Sequence, residues 1–214
     1  MLETVAILLA AGESRRMGSS KALLAWRGTS LLDYQITALQ QAGVDRVVVV
    51  LGHQPETLKP ILKDREGVTW TVNPDYARGK TTSIKAGLKA LDSSQAGLNA
   101  LDSGELSNKG ISVILILNVD QPRSPETVRD VLRRHLESGK LITIPTFNGK
   151  GGHPIALDPG LLPELRSIVE ESFGVKAVVR AHADATQRTE MATAEVLWDL
   201  NTPEDYQAAL QSQG

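Results

Sequence analysis

The chain has 214 residues, of which 41% are hydrophobic and 22% charged, an ordinary globular composition with enough apolar material for one sizeable core. A net charge of −2 and an aromatic content of 4% supply neither a basic field for nucleic-acid phosphates nor stacking platforms for single-stranded bases, so no nucleic-acid partner is expected. The absence of cysteine excludes disulfides, thiolate metal sites and a cysteine nucleophile, and fits a reducing compartment.

The first predicted element is an apolar strand from Val5 to Leu9. Its apolar run, extended to Ala11, is too short to span a bilayer and follows no basic segment, so the chain reads as soluble and cytoplasmic with no membrane partner. Helical periodicity follows over Leu31 to Gln41, then a strand over Val47 to Leu51, a helix over Glu56 to Lys63 and a strand over Thr69 to Val72. A helix over Thr82 to Leu91, a strand over Val113 to Leu117 and a helix over Thr127 to Leu136 continue the alternation. Unbroken runs such as Val47-Val48-Val49-Val50 suit strands buried on both faces, and so predict a mostly parallel sheet covered by helices. The segment from Asp92 to Gly110, rich in Ser, Gly, Asn and Asp, reads as a flexible surface insertion within a single domain over 1–214, because the pattern resumes after it. Near the C-terminus, Thr202 and Pro203 read as the N-cap and first position of a last helix.

Ligands of open parallel sheets bind beyond the carboxyl ends of the strands. The residues there are chemically alike: Ala10 to Lys21 after the first strand, Gly52-His53 after the second, Asn73 after the third, and Asn118-Val119-Asp120 after the fourth. The first of these loops combines small residues with Arg15, Arg16 and Lys21, so its backbone amides can approach phosphates while cations neutralise them. The physics alone supports anion binding, and equally a flexible connection with solvated charges. The spacing of Gly12 and Gly18 is not that of a dinucleotide fingerprint, and Lys21 does not follow a glycine as in a P-loop.

Leu9 to Lys21, L-A-A-G-E-S-R-R-M-G-S-S-K, resembles the signature loop of the nucleoside-triphosphate transferase superfamily. The resemblance implies a three-layer Rossmann-like α/β fold of the nucleotide-diphospho-sugar transferase type. It also implies that Leu9, Ala10, Ala11 and Gly12 hold base and triphosphate, that Arg16 contacts the β and γ phosphates, and that Lys21 stands near the α phosphate. Asp120 ends an apolar strand, where a carboxylate serves as a turn or helix cap or as a hard ligand for Mg²⁺. The segment Asn118-Val119-Asp120-Gln121-Pro122 resembles the superfamily's metal-binding element, which implies that Asp120 coordinates Mg²⁺.

Gly151 to Leu157 and Asp199 to Tyr206, with Gly52-His53 and the Asn73 to Gly79 segment, are similar to elements of the molybdenum cofactor cytidylyltransferase family. That resemblance adds Gly52, His53, Asn73 and Ser83 as nucleotide contacts, and Gly152 and His153 as acceptor contacts. A histidine before proline also serves as a plain turn residue. Two departures stand out: Asn201 where some relatives carry a second metal-binding Asp, and Phe173-Gly174-Val175-Lys176 where a glycine-acidic-glycine element is expected.

The expected reaction is transfer of CMP from CTP to the phosphate of molybdopterin with release of pyrophosphate, dependent on Mg²⁺ and using Lys21, Arg16 and Asp120. Ala11, where the guanylyl branch has glycine, points to a pyrimidine, with CTP preferred and UTP left open. The implied partners are a nucleoside triphosphate and a phosphorylated small-molecule acceptor, with no molybdoenzyme partner identified. Alternatives are a sugar- or polyol-phosphate nucleotidyltransferase, a guanylyltransferase of the same cofactor pathway and, in a different class, a non-catalytic nucleotide-binding regulatory module.

Overall fold

A computed structural model describes residues 2–14, 17–96 and 110–212. In chain order its elements are β1 (Glu3–Ala10), β2 (Ala25–Trp26), β3 (Thr29–Ser30), α1 (Leu31–Gln41), β4 (Arg46–Leu51), α2 (Lys59–Leu62), β5 (Val68–Val72) and α3 (Lys80–Ala96). They continue with β6 (Ile111–Asn118), α4 (Pro125–Ser138), β7 (Ile142–Phe147), β8 (Lys150–Gly151), β9 (Ile155–Leu157), α5 (Leu162–Ser167), α6 (Val175–Ala181), β10 (Thr186–Glu190) and α7 (Pro203–Gln211).

The main sheet runs in the order β10-β7-β9-β6-β1-β4-β5, with β8 paired to β7. Pairing is parallel across β6, β1, β4 and β5 and between β7 and β10. The short β9 lies antiparallel between β6 and β7, so the sheet is mixed and mostly parallel. Alternation along each strand builds two cores. Ala6, Leu8, Val47, Val49, Leu115 and Leu117 face α1, α2 and α4, whereas Val5, Ile7, Val48, Val50, Ile114 and Ile116 face α3, α5 and α6. Helices therefore cover both faces, and the continuous apolar strands are buried on both sides.

The helix expected over 56–63 is shorter than its pattern: a 3₁₀ turn over Pro55–Thr57 precedes a four-residue α2 that has Pro60 in its first turn. Proline lacks the N–H and crowds the preceding turn, which keeps the two pieces separate. The helix expected to stop at Leu91 runs on to Ala96, five residues into the segment read as an insertion. Residues 97–109 of that segment lie outside the described residues. At α7 the cap is as read: Thr202 accepts from the Asp205 N–H at 3.2 Å, the Asp205 carboxylate accepts from the Thr202 N–H at 2.9 Å, and Pro203 opens the helix.

Candidate active site

The carboxyl ends of β1 and β6 open onto a cavity of about 540 Å³, to which the start of α3 and the segment before α7 add the other walls. The segment after β1 is held by its neighbours. Leu9 O accepts from Val119 N at 2.9 Å, Ala11 O accepts from His53 N at 3.1 Å, and the Ser14 hydroxyl accepts from Lys21 N at 2.9 Å. Leu9, Ala10, Ala11, Gly12 and Lys21 all line the cavity. Arg16 lies outside the described residues.

Lys21 reaches across the cavity from the first loop to the last. Its ammonium donates to Asp120 Oδ2 at 2.7 Å and to Asn201 Oδ1 at 3.1 Å, joining residues far apart in sequence. Leu200 N donates to Asp120 O at 2.9 Å, which fixes the irregular 199–201 segment beside the Asp120 loop. Asp120 and Asp199 both line the cavity. The loop carrying Asp120 has its own internal scaffold: the Gln121 side chain accepts from Asn118 Nδ2 at 2.8 Å, and buried Gln35 of α1 donates to Gln121 O at 2.6 Å.

Three residues read as nucleotide contacts stand behind the cavity surface rather than on it. Gly52 abuts the first loop so closely that a Cβ there would lie 2.6 Å from Ala11 O and 2.8 Å from the Tyr76 Cβ. His53 packs edge-on to Tyr76, with Nδ1 3.2 Å from the phenol oxygen, and Tyr76 is the member of that pair that lines the cavity. Asn73 is buried and organises the turn into α3: its amide donates to Thr82 Oγ1 at 2.9 Å and Ser83 Oγ at 3.0 Å, and its oxygen accepts from Asp75 N at 3.0 Å. Ser83 is on the cavity surface, beside Lys80 and Gly79.

Gly152 and His153 form a separate flank. Gly152 N donates to Pro145 O at 2.7 Å, and a side chain on Gly152 would collide with the Val196 carbonyl. His153 N donates to that same carbonyl at 2.9 Å. Burial, then the positive charges of Arg123, Lys80 and Lys176, push the His153 imidazole down to about 3, so the ring is neutral at physiological pH. Its Nδ1 is buried without a hydrogen-bond partner among the described residues. Neither Gly152 nor His153 is among the residues that line the cavity.

Sequence reasoning missed Ser14, Tyr76, Lys80 and Asp199 as lining residues, and Arg123 altogether. Ser14 and Asp199 lie inside motifs already singled out, whereas Arg123 follows a proline and in the sequence looks like a solvated charge at a helix start. In the fold it is 1% exposed.

The sequence model of the MobA-like NTP transferase domain matches residues 6–186. Molybdenum cofactor cytidylyltransferase of Escherichia coli K12 is 28% identical over 202 residues, covering 94% of this chain and 92% of that protein. Nicotine blue oxidoreductase of Paenarthrobacter nicotinovorans is 28% identical over 175 residues, covering 81% of this chain and 80% of that protein. Among solved structures, a nucleotidyl transferase from Methanothermobacter thermautotroptrophicus superposes with a TM-score of 0.75 at 21% identity, covering 98% of this chain and 97% of that one. With Leu9 to Ser14, Lys21 and Asp120 on one cavity, and with the matched domain running through most of its length, the chain belongs to the MobA-like NTP transferase family.

Proposed function

We propose that the protein transfers the CMP part of CTP to the phosphate of a molybdopterin-type cofactor, with release of pyrophosphate. One observation carries the reading: Lys21, Asp120 and Asn201, from three distant segments, meet on the cavity lined by the Leu9–Ser14 loop. The similarity over nearly full length to the E. coli cytidylyltransferase supports the choice of base and acceptor.

The residues fit a divalent cation. Asp120 Oδ2 and Asn201 Oδ1 both hold one ammonium, so two hard oxygens already converge on a point of positive charge. Among the described residues no cluster of three or more His, Asp or Glu could hold a metal ion alone, so a cation here would have to take its remaining oxygens from phosphates and water. Asp120 and Asn201 would hold Mg²⁺ there, and the ion would supply neutralisation of phosphate charge.

An acceptor phosphate oxygen attacks the α phosphorus in line, the bond from the α phosphorus to the bridging oxygen breaks, and pyrophosphate leaves with the electron pair. A phosphate monoester has its second pKa at about 6 and arrives largely ionised, so no general base is required. The protein's work is positioning and charge. Lys21 turns from Asp120 to the α phosphate as negative charge grows there, and Arg16 with the loop amides holds the departing pyrophosphate. Gly152 and His153 orient the acceptor. Leu9, Ala10, Ala11, Gly12 and Ser83 hold the nucleotide, with Gly52, His53 and Asn73 bracing the walls.

Pyrophosphate release with each of the four triphosphates against molybdopterin, sugar phosphates and polyol phosphates, with and without Mg²⁺, tests the reading. CTP with molybdopterin is expected to give the fastest release. Turnover with sugar phosphates alone, a preference for GTP, or nucleotide binding without release from any acceptor would each overturn it in a different way.

A further inference from the structure

Arg123 is a fully buried cation that is not among the residues lining the cavity, yet it binds three segments around the site at once. Its Nε donates to His153 O at 2.8 Å, one terminal nitrogen to Pro122 O at 2.8 Å, and the other to Val196 O at 2.8 Å and Trp198 O at 3.0 Å. Four carbonyls from three loops are thus held by one planar fork. Its backbone N–H donates to the Gln35 side chain at 3.3 Å, fixing its own position on α1. Burial pushes the guanidinium down to about 9, while Glu195, Asp199 and Asp120 hold its charge up, so it is a cation at neutral pH.

The three segments carry different parts of the site. Pro122 belongs to the loop of Asp120, His153 to the acceptor flank, and Val196–Trp198 lead directly into Asp199 and Asn201. Two further bonds, Leu200 N to Asp120 O and His153 N to Val196 O, link the same segments, but neither spans all three. No other side chain described above does so. Lysine cannot substitute, because a single ammonium on a flexible stem lacks the rigid fork that serves several carbonyls in one plane.

We propose that Arg123 is a positioning residue that sets the distance between the Asp120 and Asn201 oxygens and holds the His153 flank in register with them. The proposal rests on the nucleotidyl-transfer reading for its consequence, and on geometry alone for the clamp. Two measurements on Arg123→Lys separate these. Hydrogen exchange reads the clamp: the variant is expected to exchange faster in residues 118–123, 152–154 and 196–200 together, with the β1, β4 and α1 core unchanged. Mn²⁺ titration in the presence of CTP, followed by electron paramagnetic resonance, reads the consequence: the midpoint is expected to rise about tenfold or more, the usual cost of losing a residue that orients metal ligands. The KM for CTP should change far less than kcat, because the four carbonyls that Arg123 holds belong to other segments than the first loop.

Leu62→Ala, a core change in α2 remote from these loops, controls for stability: a comparable loss in melting temperature with an unmoved Mn²⁺ midpoint is expected. If Arg123→Lys does not fold, Glu195→Gln serves, since it removes a charge that supports the guanidinium and keeps the oxygen that accepts from Ser124 at 2.7 Å. A midpoint rise in the same direction, smaller than that of Arg123→Lys, is expected there. An unmoved midpoint in a folded variant, or uniformly faster exchange across the whole chain, would overturn the proposal. Failure of the wild type to bind Mn²⁺ with any triphosphate would instead sink the nucleotidyl reading, while exchange confined to the three segments would still establish the clamp.

Discussion

The Lys21 ammonium stands 2.7 Å from Asp120 Oδ2, so the cation read as a partner of the α phosphate is bound to the carboxylate read as the metal ligand. The pair is poorly exposed, at 12% and 19% of its side-chain surfaces, so the attraction is screened less than at an open surface. On the proposed function, a divalent cation at Asp120 would compete with Lys21 for the same oxygens and would free Lys21 for phosphate.

Removing the lysine should therefore act in two directions. Lys21→Ala is expected to lower kcat on the order of 10²-fold to 10³-fold, as does loss of one preorganised donor to a developing charge, while the KM for CTP changes less. Without nucleotide, the same variant should bind Mn²⁺ more tightly than wild type. Steady-state kinetics and metal titration check both; equal losses in kcat and CTP affinity, or weaker metal binding in the variant, would count against the exchange.

How much of this was legible beforehand follows from the range of the interactions. The bounds of α1, Leu31–Gln41, were readable because local periodicity and the Ser30 cap, which accepts from the Asp33 N–H, lie within one segment. The placement of Lys21 and Asp120 on one cavity was readable because parallel strands deliver their carboxyl ends to one edge. Arg123 was not readable, since its burial depends on three loops converging from residues 122, 153 and 196–198. Gly52 and Asn73 were found but set on the ligand surface, because a motif shows which residues matter and not whether they touch ligand or brace those that do.

The bracing role of Gly52 gives a second test. Alanine there would place its Cβ 2.6 Å from Ala11 O and 2.8 Å from the Cβ atoms of Ala11 and Tyr76. All three are backbone or first side-chain atoms that cannot rotate away, so the walls must part. Gly52→Ala is expected to cost about 1–3 kcal/mol of stability, as overpacking does, and to raise the KM for CTP about tenfold. A calorimetric melt and steady-state kinetics read the two effects; an unchanged KM would mean that Ala11 and Tyr76 do not shape the nucleotide slot.

Ala11 itself should tune base choice. Wild-type protein is expected to prefer CTP over GTP, and Ala11→Gly to relax that preference by about tenfold, within the range that one methyl group can discriminate. Competition assays with both triphosphates measure it. Equal use of CTP and GTP by wild type would remove the cytidylyl assignment.

The His153 ring sets a pH dependence. Its folded-state pKa is depressed to about 3, below an ordinary histidine near 6.5. The unfolded chain therefore takes up a proton first as pH falls, and stability present above pH 6.5 is lost progressively below it, by up to about 1.4 kcal/mol per pH unit. Buried His135 is shifted in the same direction and adds to the slope. Comparing melts of wild type and His153→Gln between pH 6.5 and 5, above most carboxylate titration, isolates the His153 share: the variant should show the flatter profile. Parallel profiles would mean that the imidazole is solvated in the folded protein.

The metal role itself stands or falls on Asp120. Asparagine keeps the shape of the side chain and removes its charge. Asp120→Asn should raise the Mg²⁺ concentration needed for half-maximal rate and lower turnover on the order of 10²-fold or more. The fold should survive, since the loop is held through the Gln121–Asn118 and Gln35–Gln121 bonds and the Asp120 backbone carbonyl, none of which uses the Asp120 side chain. A carboxylate that served only to tether Lys21 predicts otherwise: with Asn in place the lysine is released, the repulsion between Asp120 and bound triphosphate disappears, and nucleotide binds more tightly at an unchanged Mg²⁺ midpoint. Mg²⁺ titrations of rate for both proteins, with thermal melts as a fold control, separate the two cases. A near-normal turnover at an unmoved midpoint in folded Asp120→Asn would remove Asp120 from the metal site and leave it as the anchor of Lys21.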